Sequence, residues 1–166
     1  MNPQLFQRND EGRVIQLESF FTLFPGRENS FKILFGGKVL ELMDEISGSL
    51  ASLYIATPGL QAVHAGEEVL FLDPIRSSET GKVIARILLV TEKIICIHVE
   101  VWGGQNQEPD NFTRRYVGFG LCAVVDDQGK MVHDLKPYRD PSPLTEIAER
   151  VLNFQRNLRK SILKVP

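Results

Sequence analysis

Cysteine is scarce in this chain: the 166 residues hold two, Cys96 and Cys122. Both sit inside apolar, strand-like runs, and neither has C-x-x-C or metal-ligand spacing. That excludes a disulfide framework and suits buried free thiols in a reducing compartment. No apolar run approaches the roughly 18 residues that span a membrane, and the N-terminus lacks an apolar signal core. A cytoplasmic protein without a membrane partner is the expectation. Charge of one sign is not in excess either. The formal net charge of −2 gives no general case for a nucleic-acid partner. The three histidines, His64, His98 and His133, are widely separated. G-x-S-x-G, H-E-x-x-H and P-loop motifs are missing, so nothing positive supports a serine elbow, a zinc helix or a nucleotide cradle. Spacing alone leaves a Ser-His-Asp triad open. No metal or cofactor is expected.

What is present is organised around residues 35–57, FGGKVLELMDEISGSLASLYIAT. Gly36 and Gly37 open a run of helix formers that stops before Pro58-Gly59. Val39, Met43, Ile46, Leu50 and Leu53 recur at helical steps and predict one apolar face. Glu41, Asp44, Glu45, Gly48 and Ser52 collect opposite. Gly48 lowers helix stability by roughly 1 kcal/mol against alanine, so close packing at Gly48 is expected.

Around this helix the rest reads as strands. Residues 1–12 are polar and read as a frayed, disordered terminus. β-formers predict strands at 13–24, 60–72, 82–90, 94–102 and 115–125, with Gly66 marking a bulge. Segments 82–90 and 94–102 read as an antiparallel hairpin. Asp126 to Gly129 is a turn, and 131–135 a short return. Ser142 is placed to cap a C-terminal amphipathic helix over 142–163, with Leu144, Ile147, Val151, Phe154, Leu158 and Ile162 as its apolar stripe. From Pro141 on, five cations face only Glu146 and Glu149, a basic tail on an otherwise acidic chain. The expectation is one α+β domain over 13–166: a curved antiparallel sheet wrapped around a long central helix, plus the C-terminal helix.

Three features carry chemistry. Asp44 is a carboxylate that a partly buried site would turn into a general base, although its stripe also reads as a solvated face. Gly36-Gly37 opens the helix, where a free N–H would hold an oxyanion. Arg114-Arg115 would bind a phosphate, or simply stand one on each face of a strand. His98 reads as an ordinary strand residue.

The order Asn29-x6-Gly36-Gly37-x5-Met43-Asp44-Glu45 resembles the hotdog-fold acyl-CoA thioesterases, in particular the cytosolic acyl-CoA hydrolase group. The similarity continues through Phe71-Leu72-Asp73-Pro74-Ile75, Val99-Glu100-Val101-Trp102 and Val124-Val125-Asp126-x-x-Gly129, and spans about residues 24–129. The resemblance implies a homodimer, commonly built into a hexamer as a trimer of dimers, with active sites between subunits. It implies that Asp44 activates water, that the backbone at Gly37 polarises the thioester carbonyl and that Asn29 positions substrate or water. Gly36 would lie at the substrate, and the coenzyme A phosphates would meet Arg114, Arg115 or the basic C-terminal helix. The chain departs from the family where Arg27 and Lys32 replace a histidine and a glycine, and where Thr91 to Ile94 replaces G-x-T-S. The function implied is acyl-CoA hydrolysis to a free acid and coenzyme A. Those departures motivate an alternative, a non-catalytic acyl-CoA-binding sensor or interaction module. A hotdog dehydratase is a weaker rival, because that class pairs a helix carboxylate with a histidine from a proline-rich loop, and the loop before this helix has none.

Overall fold

The computed structural model describes residues 5–22, 26–105 and 111–163. In chain order the elements are β1 (Leu5–Arg8), β2 (Val14–Thr22), α1 (Gly36–Ile55), β3 (Leu60–Phe71), β4 (Thr80–Val90), β5 (Ile94–Gly104), β6 (Thr113–Asp126), β7 (Tyr138–Arg139) and α2 (Leu144–Ile162). The strands form one antiparallel sheet in the order β1-β2-β4-β5-β6-β3, with β7 added beside β4. This is the hotdog architecture that the resemblance implies. The end of the first predicted strand, residues 23 and 24, lies outside the described residues, as do 106–110.

α1 lies across one sheet face. Val39, Met43 and Leu50 are fully buried there against Ile87, Ile97, Val99 and Val124. The opposite face carries a smaller cluster, in which Ala148 and Leu152 of α2 cover Leu88, Cys96 and Leu121. Cover on both faces explains why β4 and β5 read as near-continuous apolar runs. α1 stops where Ala56 turns left-handed at φ 45° and its N–H bonds the Ser52 carbonyl.

Several expectations need correction. Leu53 is 45% exposed, and Tyr54, Ser47 and Ala51 are buried instead, so the buried face of α1 is rotated toward its small residues. Close packing is not at Gly48, where an added Cβ meets nothing within 4 Å. It lies on β6: a Cβ at Gly118 would fall 2.6 Å from Met43 Cε, and one at Gly120 would fall 2.6 Å from Ser47 Oγ. The glycines that admit the helix therefore belong to the strand beneath it.

The terminus read as frayed is a hairpin from residue 5 onward. β1 pairs with β2, and Asn9 Oδ1 accepts from the N–H groups of Glu11 (3.1 Å) and Arg13 (2.9 Å), closing a turn with Gly12 at φ 75°. The short return after Asp126 reduces to one bridge between Val125 and Met131. The bulge read at Gly66 falls one residue earlier, at Ala65, and the hairpin of β4 and β5 is as expected.

α2 begins at Leu144, and Ser142 does not cap it with its side chain. Ser142 Oγ is buried without a partner, while Asp140 accepts from the Ser142 N–H at 2.8 Å. The predicted stripe is also turned away from the sheet: Ile147, Phe154, Leu158 and Ile162 are exposed, and Thr145, Ala148 and Leu152 are buried. The small residues let α2 lie close, and Gln155 and Arg159 fasten it to Glu68 and to the Ala65 carbonyl.

Candidate active site

The loop before α1 is held by Asn29. Its Oδ1 accepts from the N–H groups of Phe31 (2.9 Å) and Ile33 (3.4 Å), an Asx-type turn that leaves the amide nitrogen as its free end. Lys32, where the resemblance leads one to expect glycine, takes the left-handed φ of 61° that glycine favours. Its ammonium pairs with Glu28 at 2.6 Å. The departure at Lys32 thus preserves the backbone shape.

This turn opens into a cavity of about 370 Å³ lined by Asn29, Gly36, Phe71, Asp73 and Tyr116, among others. α1 begins at its wall. Lys38 and Val39 are the first residues whose N–H groups bond the Phe35 carbonyl. The N–H groups of Gly36 and Gly37 precede that ladder and, as in any helix, have no acceptor inside it. Neither glycine has a positive φ. Gly37 is exposed, and a side chain there would press on the Phe35 ring at 2.9 Å.

Asp44 lies two turns further along α1 on its outer face, its side chain 55% exposed. His64 of β3 stands against it, with Nδ1 2.7 Å from Asp44 Oδ1. Glu67 lies nearby on the same strand, its carboxyl raised above the usual range by burial, against which His64 pulls down and to which the charge of Asp44 adds. The structure therefore brings Asn29 and Gly36 together at one cavity and sets Asp44 apart with His64. The sequence reading did not connect His64 with Asp44.

The two arginines are already engaged. Arg114 bonds Glu100 at 2.7 Å and lies over the Trp102 ring, and Arg115 bonds Glu79 at 2.6 Å and also Asp73. More open cations, Lys93, Arg156 and Lys160, line a groove of about 590 Å³ between α2 and β5–β6, beside Arg159, which holds the Ala65 carbonyl. His98 is a core histidine packed on Phe119, and burial lowers its pKa. Burial pushes both thiols, Cys96 and Cys122, up to about 12, so neither is a nucleophile at neutral pH.

Residues 31–109 match the family described as the Thioesterase superfamily. No curated protein sequence matches the chain. Among solved structures, an apo-hexameric acyl-CoA thioesterase superposes with a TM-score of 0.74 at 17% identity, over 91% of this chain and 94% of that one. An acyl-CoA hydrolase from Bacillus cereus gives 0.75 at 22% identity, over 90% of each chain. An acyl-CoA hydrolase from Staphylococcus aureus, in complex with butyryl coenzyme A, coenzyme A and coenzyme A disulfide, gives 0.71 at 19% identity, over 88% of this chain and 87% of that one. At these identities the likeness is one of fold.

Proposed function

We propose that this chain, which matches the Thioesterase superfamily over residues 31–109, is a member of that family and hydrolyses acyl-CoA to a free acid and coenzyme A. The observation that carries this reading is the content of the matched span. It holds a helix start with free N–H groups at Gly37 and, on the same helix, the carboxylate of Asp44 held by His64. Water adds to the thioester carbonyl carbon while Asp44 takes its proton. The Gly37 N–H and the positive end of α1 stabilise the oxyanion. The C–S bond then breaks, and the proton passes from Asp44 to the departing sulfur. Asn29 positions substrate or water with its free amide nitrogen. The cations of α2 suit the coenzyme A phosphates better than Arg114 and Arg115, which carboxylates occupy.

Geometry supports a site shared between chains. Gly37 and Asp44 are separated by two helical turns, a rise of about 10 Å. A water and the carbonyl that it attacks must lie within roughly 3.5 Å. From one subunit the N–H, carbonyl, water and carboxylate would have to string out almost straight along the helix, whereas Gly37 of one subunit and Asp44 of another remove that constraint. β3, which carries His64, is the terminal strand in the sheet order, with its outer edge unpaired among the described residues. Such an edge favours pairing with a second copy. A homodimer is the minimal assembly in this reading, and a trimer of dimers is the larger one.

The test is thiol release from acyl-CoAs of graded chain length. Turnover is the expected result. Tight binding without thiol release would replace the reading with that of a sensor. One observation favours the dehydratase rival: His64 does face a helix carboxylate, although from a strand rather than a proline-rich loop. New ultraviolet absorbance from a 3-hydroxyacyl thioester, without thiol release, would select it.

A further inference from the structure

The contact between His64 and Asp44 joins two elements far apart in function: the central helix and the outermost strand of the sheet. His64 sits just before the bulge, at a position that pairs with Cys122 of β6. The bulge follows at Ala65, whose carbonyl accepts a bond from Arg159 of α2. The strand is thus pinned on the residue next to His64, which fixes where the imidazole reaches. Nδ1 meets Asp44 Oδ1 at 2.7 Å, hydrogen-bond distance for a charge-assisted pair. An ionised carboxylate only accepts, so the proton between them sits on Nδ1.

Resting on the thioesterase reading, we propose that His64 is the positioning residue for Asp44. Its Nδ1–H holds Oδ1 and sets the carboxylate so that Oδ2 faces the attacking water. The water's proton goes to Oδ2, and the same proton later leaves with the thiolate sulfur, so His64 exchanges no proton during turnover. Glu67 of β3 and, across on β6, the thiol of Cys122 are the other polar groups beside the pair.

The experiment uses the intact protein with His64→Leu, His64→Asn and Asp44→Asn. Asparagine can place an N–H near the position of Nδ1 and does not titrate. The expected result for His64→Leu is a fall in kcat of about tenfold to a hundredfold with KM within about twofold of the wild type. His64→Asn recovers most of kcat. The proposal is overturned if both His64 variants turn over like the wild type while Asp44→Asn is impaired. It is equally overturned if His64→Asn is as slow as His64→Leu. Failure of the thioesterase reading has a different signature: no thiol release from the wild type itself.

Discussion

Asp44→Asn lowers kcat for thiol release by about a hundredfold or more, with KM and stability nearly unchanged. Asparagine has the shape of aspartate and can still accept the His64 N–H through its side-chain oxygen. What it loses is basicity. A structural role for Asp44 would give a different pattern. The side chain is 55% exposed, and its contact with His64 is a surface pair. Such pairs contribute about 0–1 kcal/mol, so loss of the charge barely moves the thermal midpoint. Steady-state kinetics and thermal unfolding on the same preparation separate the two cases. A loss of turnover that tracks a loss of fold would remove Asp44 from the chemistry.

The second large effect is one of packing. Gly118→Ala destabilises the protein by about 3 kcal/mol, at the upper end of usual overpacking costs. A Cβ there falls 2.4 Å from the Glu68 carbonyl oxygen and 2.6 Å from Met43 Cε. The methionine end can swing away. The carbonyl cannot, because it belongs to β3, whose Val69 pairs with Gly118. For a chain of this size the drop in thermal midpoint is about 10 °C. Gly48→Ala is the control: an added Cβ there has open space, and alanine favours the helix by up to about 1 kcal/mol. If Gly118→Ala melts with the wild type, the helix does not sit on β6 as described. Met43 adjoins Asp44 in sequence, so displacement at Gly118 should also cost activity.

How legible these features were in the sequence depended on the physics that encodes them. The extent of α1 was legible because helical periodicity and the Pro58-Gly59 stop are local signals. Its rotation was not, since the sheet selects for Ser47 and Ala51, small residues that hydrophobicity ranks below Leu53. The same error recurs in α2, where the apolar stripe lies outside and Ala148 with Leu152 lies inside. In both helices close approach to the sheet outweighs side-chain size. β1 was missed because its two apolar residues, Leu5 and Phe6, are set in a mostly polar stretch over 1–12, although Asn9 to Gly12 is a good turn signal.

Asp44 and the glycines stood out through family resemblance rather than pattern. The pairing with His64 was legible in part from connection lengths. Asp44 lies about 16 Å back from the end of α1 at 1.5 Å per residue. His64 lies about 13 Å into β3 at 3.3 Å per residue. A short loop joins the two elements, so they run back alongside each other. What no local signal carries is the direction in which the edge strand points its imidazole. The bulge at Ala65 sets that, together with the helix beneath it.

If Gly37 of one chain and Asp44 of another make one site, two inactive variants restore each other in a mixed dimer. Gly37→Pro removes the N–H that is assigned to the oxyanion, in a first helical turn that tolerates proline once the exposed Phe35 ring swings aside. Asp44→Asn removes the base. Each variant alone is expected to be nearly inactive. Refolded together in equal amounts, they form mixed dimers in which one of the two sites is intact, and about a quarter of wild-type activity returns. A mixture that forms mixed dimers yet stays as inactive as its parents would contradict the account, because both groups would then have to act from the same chain.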